Sequence, residues 1–67
     1  MIVLNGERSE LPDGETVADA LQRLGVAADQ RGVAVAVDGE VVPRARWQEF
    51  VLREHARVEV LAPMQGG

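Results

Sequence analysis

The chemistry this chain could carry gathers at Gly66-Gly67. Two successive residues without Cβ can adopt backbone angles closed to other residues and thread a narrow channel. They would present the α-carboxylate of Gly67 to an enzyme on a slim arm. A carboxylate is a poor acyl donor, because it is anionic and has no good leaving group. Coupling it to the AMP portion of ATP supplies that leaving group, and a sulfur nucleophile can then take the acyl group. Gly67 is thus the candidate for modification, and Gly66 the candidate for passage into a partner enzyme. A glycine-rich end can equally be a plain flexible terminus. The rest of the chain has to decide.

Other chemistry is scarce. The 67 residues include no cysteine, which removes disulfides, thiolate nucleophiles and zinc-thiolate sites. Tyrosine and lysine are also missing, and all seven basic residues are arginine. Ser9, Thr16 and His55 are the remaining nucleophiles and bases. A catalytic site needs a nucleophile held by a base and oriented by a third group, and this stock can hardly supply one. His55 lies in the polar turn Arg53-Glu54-His55-Ala56-Arg57 and is assigned no role. No residue is nominated as catalytic or as a metal ligand, and no bound cofactor is expected.

Eleven acidic residues against seven basic give a net charge of −4. Nucleic acid and anionic membranes both call for clustered positive charge, so neither is an expected partner. The acids Asp13, Glu15, Asp29, Glu40, Glu54 and Glu59 are scattered. Some could steer a basic enzyme, since complementary charge raises association rate more than affinity. Ile2-Val3-Leu4 is too short for a signal peptide or a membrane span. The expectation is a cytoplasmic protein that works with something larger.

Eleven valines and nine alanines must build whatever scaffold holds the arm. A chain of this size buries about 60% of the surface its unfolded form exposes, so the core is thin. Ile2-Val3-Leu4 runs into Asn5-Gly6, suited to a type I′ turn, and Glu7 to Leu11 returns as a polar edge strand. Pro12-Asp13-Gly14-Glu15 is a turn, and Thr16 caps a helix with Asp19 as the capping-box acid. Val17, Ala20, Leu21 and Leu24 make one apolar stripe over a helix at 17–24, closed by Gly25. Val33 to Val37 is a strand, Asp38-Gly39 a second hairpin turn, and Glu40-Val41-Val42 the return strand stopped by Pro43. Trp47, Phe50 and Val51 follow at helical spacing, with Trp47 and Phe50 closing the bottom of the core. Arg57 to Leu61 alternates as the last strand, and Pro63 ends it.

One helix covering one sheet is a two-layer α+β fold. Ile2, Leu4, Val17, Leu21, Leu24, Val35, Val58 and Val60 are the expected core. The last strand needs a central place, because Val58 and Val60 are the last apolar supply. Pairing it parallel to the first strand gives the ubiquitin-like β-grasp, one topology among several that the pattern admits. A domain over residues 1–62 would then carry a flexible arm over 63–67.

Asp38-Gly39-Glu40-Val41-Val42-Pro43-Arg44-x-x-Trp47, after a strand of small and β-branched residues, resembles the sulfur carriers of thiamine biosynthesis, the ThiS family. The Asn5-Gly6 hairpin, the Gly14-Glu15-Thr16-Val17 helix start and Gly66-Gly67 fall where that family has equivalents, so the resemblance spans the chain. It implies a β-grasp fold with a mixed five-strand sheet and one helix. It implies that Gly67 is adenylated by an activating enzyme related to ubiquitin-activating enzymes, which uses ATP. Gly67 then becomes a thiocarboxylate, with sulfur from a donor protein or sulfide, and delivers it to thiazole synthase. The chain would be a co-substrate of those enzymes, not an enzyme. Arg44 and Arg46 are candidates for partner docking, beside a pure packing role for their segment. Pro63 departs from a family tail that is more often aliphatic and extended.

Three other functions fit parts of this pattern. The small subunit of molybdopterin synthase would share the fold and the diglycine, but those chains tend to be longer and richer in aromatics. A protein modifier would share them too, although a chain without lysine cannot form lysine-linked chains on itself. An interaction module would make the diglycine incidental.

Overall fold

A computed structural model describes residues 1–12, 14–27 and 29–62. Gly66, Gly67 and Pro63, and with them the arm expected over 63–67, lie outside the described residues. The elements in chain order are β1 (Ile2–Leu4), β2 (Glu7–Ser9), α1 (Val17–Arg23), β3 (Ala34–Val37), β4 (Glu40–Val41), a 3₁₀ turn (Arg44–Arg46) and β5 (Arg57–Leu61).

The sheet order is β2-β1-β5-β3-β4. β5 is the central strand. It pairs parallel with β1, setting Leu4 opposite Val58, and antiparallel with β3, setting Val35 opposite Val60. The parallel pairing needs a long crossover, and the chain supplies one through α1, β3 and β4. The polar strand β2 lies at one edge, as its composition requires.

Both two-residue turns adopt the conformation their residues favour. Asn5 and Gly6 have φ of 50° and 84°, and Asp38 and Gly39 have 51° and 87°. Positive φ at both central positions defines a type I′ turn, whose twist matches the flanking strands.

α1 begins with a complete capping box. Thr16 Oγ1 accepts from the Asp19 N–H at 3.3 Å, and Asp19 Oδ2 accepts from the Thr16 N–H at 2.9 Å. The helix lays Val17, Ala20 and Leu21, all fully buried, onto Ile2, Leu4, Val35, Val37, Val58 and Val60.

Leu24 departs from the expected core, being 40% exposed. The helix ends at Arg23 rather than at 24, and Gly25 turns left-handed with φ of 76°. The Gly25 N–H bonds the Gln22 carbonyl and the Val26 N–H bonds the Leu21 carbonyl, a Schellman closure. That closure folds Val26 back against the core in place of Leu24.

Three strands are shorter than the pattern suggests. β2 stops at Ser9, β3 starts at Ala34, and β4 covers only Glu40 and Val41. Leu11, Val33 and Val42 nevertheless pack on or within the core. Val51, grouped by spacing with Trp47 and Phe50, is 54% exposed and bridges Thr16 across to the helix start. Leu52 and Ala56 take the buried positions of that segment.

Candidate functional site

The site begins where β5 ends, at Leu61 and Ala62, because the diglycine follows from there. β5 reaches this point fixed on both sides. The Val3 N–H bonds the Ala56 carbonyl at 2.8 Å and the Asn5 N–H bonds the Val58 carbonyl at 2.9 Å. Toward β3, pairing continues through Leu61 opposite Ala34. The base of the arm is thus the end of the most fully paired strand in the sheet.

The uncovered face of the sheet surrounds that base. Val58 and Val60 point to the helix side, so Arg57, Glu59 and Leu61 point away from it. Leu61 and Val41 stand on this outer face, 72% and 76% exposed. Both are large apolar side chains left exposed on that face.

The Val42-Pro43-Arg44-Ala45-Arg46-Trp47 stretch proves to be a plug with two unlike arginines. Pro43, extended at φ of −60°, ends β4, and its carbonyl accepts from the Arg46 N–H to open the 3₁₀ turn. Trp47 is buried, and its indole N–H donates to the Val42 carbonyl at 2.8 Å. The Arg44 guanidinium lies 4.5 Å from the Trp47 ring centroid and donates to the Gln30 carbonyl. It ties the loop before β3 to the turn after β4. The spacing of three between Arg44 and Trp47 is the signal in the sequence that could have announced this stack.

Arg46 does something else. It lines an open groove with Val41, Pro43, Phe50, Val51 and Arg53. Val42, which ends the return from the second hairpin, bonds the Val35 carbonyl, so Pro43 and Arg44 leave the sheet at the end from which Leu61 leaves. β3 alone separates the two exits, a distance of about 10 Å across two strand spacings.

The carboxylates that depart from ordinary titration serve the scaffold. The hydrogen bond from Glu15 holds Asp19 below its usual value, aided by the Thr16 N–H and hydroxyl, and the same bond raises Glu15. Glu54 is held low by its hydrogen bond from the Met1 amino group at 2.7 Å. Ser9, Thr16 and His55 lie in separate elements, and the Thr16 hydroxyl is engaged in the cap. Among the described residues no group of three or more His, Asp or Glu is arranged to hold a metal ion, and no helix is long and apolar enough to cross a membrane.

Comparison with known proteins adds to this geometry. The ThiS family model matches residues 2–67. The sulfur carrier protein ThiS of Thermus thermophilus is 39% identical over 67 residues, with all of both chains covered. That of Escherichia coli is 28% identical over 68 residues, covering 98% of this chain and 97% of the other. The crystal structure of the thiamine biosynthesis protein ThiS from Geobacter metallireducens superposes with a TM-score of 0.76 at 29% identity. It covers 98% of this chain and 97% of that one.

Proposed function

The chain belongs to the ThiS family, the sulfur carriers of thiamine biosynthesis, and from that premise we propose that its Gly67 carboxylate is the sulfur-carrying group. The carboxylate attacks the α-phosphorus of ATP bound to an activating enzyme, forming an acyl-adenylate and releasing pyrophosphate. Sulfide attacks the acyl carbon and AMP leaves with its bonding electron pair. Where a donor protein's persulfide attacks instead, a second thiol cleaves the acyl disulfide, forming a disulfide with the donor and freeing the thiocarboxylate. The thiocarboxylate that results delivers its sulfur to thiazole synthase.

The chain contributes presentation, not catalysis. Its residues hold no ATP. The nucleotide belongs to the activating enzyme, and the chain enters both reactions as a co-substrate in the cytoplasm. Gly66 supplies the bare backbone that passes through the partner's channel. Arg46 and the outer face around Leu61 are the surfaces a partner meets beside the arm, whereas Arg44 is already engaged with Trp47 and Gln30.

One observation carries the reading: the likeness to the Thermus thermophilus carrier extends over the full length of both chains, diglycine positions included. The central position of β5 supports it, since the arm's base is then held by neighbours on both sides. The test is intact-mass analysis after incubation with the cognate activating enzyme, ATP and sulfide. The expected result is a mass gain equal to replacing one oxygen by one sulfur, located at Gly67. An unchanged mass would overturn the proposal.

A further inference from the structure

β5 is held at both ends by the side chains of the two type I′ turns. At its start, Asp38 Oδ1 accepts from the Arg57 N–H at 3.0 Å. At its end, Asn5 Oδ1 accepts from the Val60 N–H at 2.7 Å, and Asn5 Nδ2 donates to the Val60 carbonyl at 3.3 Å. Asn5 and Asp38 are each the first central residue of a turn, with nearly equal φ.

The ladder explains the Asn5 contact. β1 donates to β5 from Val3 and from Asn5, two residues apart. A regular parallel ladder would continue with the Asn5 carbonyl accepting from Val60. The left-handed turn at Asn5 swings the main chain away before that rung forms. The side-chain carbonyl takes its place, and the side-chain amide adds a second bond to the same residue. Asparagine suits both demands, since it tolerates positive φ and carries an acceptor and a donor on a short stem.

Val60 is two residues from Ala62, the last residue before the arm expected over 63–67. We infer that Asn5 is a positioning residue for the sulfur-transfer arm: by clamping both polar backbone groups of Val60 it fixes the direction in which the chain leaves the sheet at Leu61 and Ala62. Asp38 makes a comparable bond at the far end of β5 and has no part in that direction. This inference rests on the carrier reading for its functional consequence. Reaction requires the carboxylate and nucleotide to meet within a narrow geometry, and an error of about 1 Å at a distance can cost a hundredfold.

The test compares Asn5→Gly with Asp38→Gly in the full chain, using ATP–pyrophosphate exchange by the cognate activating enzyme. Both substitutions keep the left-handed turn and remove its side-chain bonds to β5. Asn5→Gly is expected to lower kcat for exchange about tenfold or more with KM for the carrier little changed, because the docking face stays intact. Asp38→Gly is expected to keep the parental kcat despite a similar loss of thermal stability. Asn5→Asp, which retains the acceptor for the Val60 N–H, should recover most of the rate. Should Asn5→Gly fail to fold, Asn5→Gln decides by the same comparison, since its longer stem displaces both bonds. Equal kcat in the Asn5 and Asp38 variants overturns the inference. If the parent chain itself does not exchange, the carrier reading is what fails. Residual dipolar couplings at Leu61 and Ala62 then decide the orientation claim, and couplings identical in parent and Asn5→Gly overturn it.

Discussion

The indole N–H of Trp47 donates to the carbonyl of Val42 inside the core, 2.8 Å away, so the strand exit and the plug beneath it are one unit. Trp47→Phe should retain most of the ring burial and leave that carbonyl without its donor. The expected cost is about 1–3 kcal/mol, the penalty of a buried unsatisfied acceptor. Trp47→Ala should cost about 3–5 kcal/mol, since it also opens a cavity. Urea unfolding of the two variants separates the hydrogen bond from the packing. Equal midpoints for parent and Trp47→Phe would remove the bond from the account.

Arg44 and Arg46 should divide cleanly between stability and recognition. Arg44→Ala loses the stack on Trp47 and the bond to the Gln30 carbonyl, and is expected to cost about 0.5–1 kcal/mol. Arg46→Ala changes a guanidinium on the groove rim and should leave stability within about 0.5 kcal/mol. A raised KM of the activating enzyme for Arg46→Ala, with kcat unchanged, is the expected sign of docking.

Leu21 and Leu24 share one stripe in the sequence but differ in the fold. Leu21→Ala should cost about 2–5 kcal/mol, because Leu21 is fully buried under the sheet. Leu24→Ala should cost under about 1 kcal/mol, because Leu24 sits past the helix end and outside the core. Thermal unfolding of the two variants reads the difference directly, and similar shifts would contradict the Schellman closure at Gly25.

The sequence discloses those features that few residue types can satisfy. Asn5-Gly6 and Asp38-Gly39 announce their turns because both positions need positive φ. The central place of β5 follows from the need to bury Val58 and Val60. Leu24 misleads because periodicity cannot register a chain that folds back at the next residue. Leu52 and Ala56 stay hidden because the segment from 47 to 56 has no regular period to mark its inward positions. The second use of Asn5 is least visible, since its side-chain bonds span 55 residues of sequence. For the arm itself the sequence supplies residue types alone, and the partner's channel decides what they do.

The capping box predicts a pH dependence of definite sign. Asp19 is held below its ordinary value of 3.8, first by the hydrogen bond from Glu15 and then by Thr16. A carboxyl with a lowered folded pKa contributes stability that is complete above its unfolded pKa and lost as pH falls through the folded one. The deficit of Asp19→Asn against the parent should therefore be constant near neutral pH and shrink below about pH 3.8. Glu15, raised above 4.5 by the same bond, has the opposite sign and loses its contribution as pH rises through the folded value. Urea midpoints across acidic pH check both slopes. Thr16→Ala should cost about 0.5–2 kcal/mol, the usual loss of an N-cap.

The decisive chemical prediction concerns the last two residues. Deleting Gly67 moves the carboxylate back by one residue, about 3.5 Å in an extended chain. That displacement takes it out of line with the α-phosphorus of bound ATP, and misplacement on this scale costs on the order of a hundredfold in rate. Gly66→Val adds a β-branched side chain where the channel must close around bare backbone, and it also restricts φ. The core that holds β5 is built from residues between Ile2 and Val60, so both variants are expected to unfold at the parental midpoint. Each should nevertheless lose ATP–pyrophosphate exchange with the activating enzyme and the later gain of sulfur. A midpoint shift in either variant would mean that the diglycine packs on the domain. Exchange at the parental rate by the Gly67 deletion would mean that the reactive carboxylate need not belong to Gly67, and an interaction module would then replace the carrier.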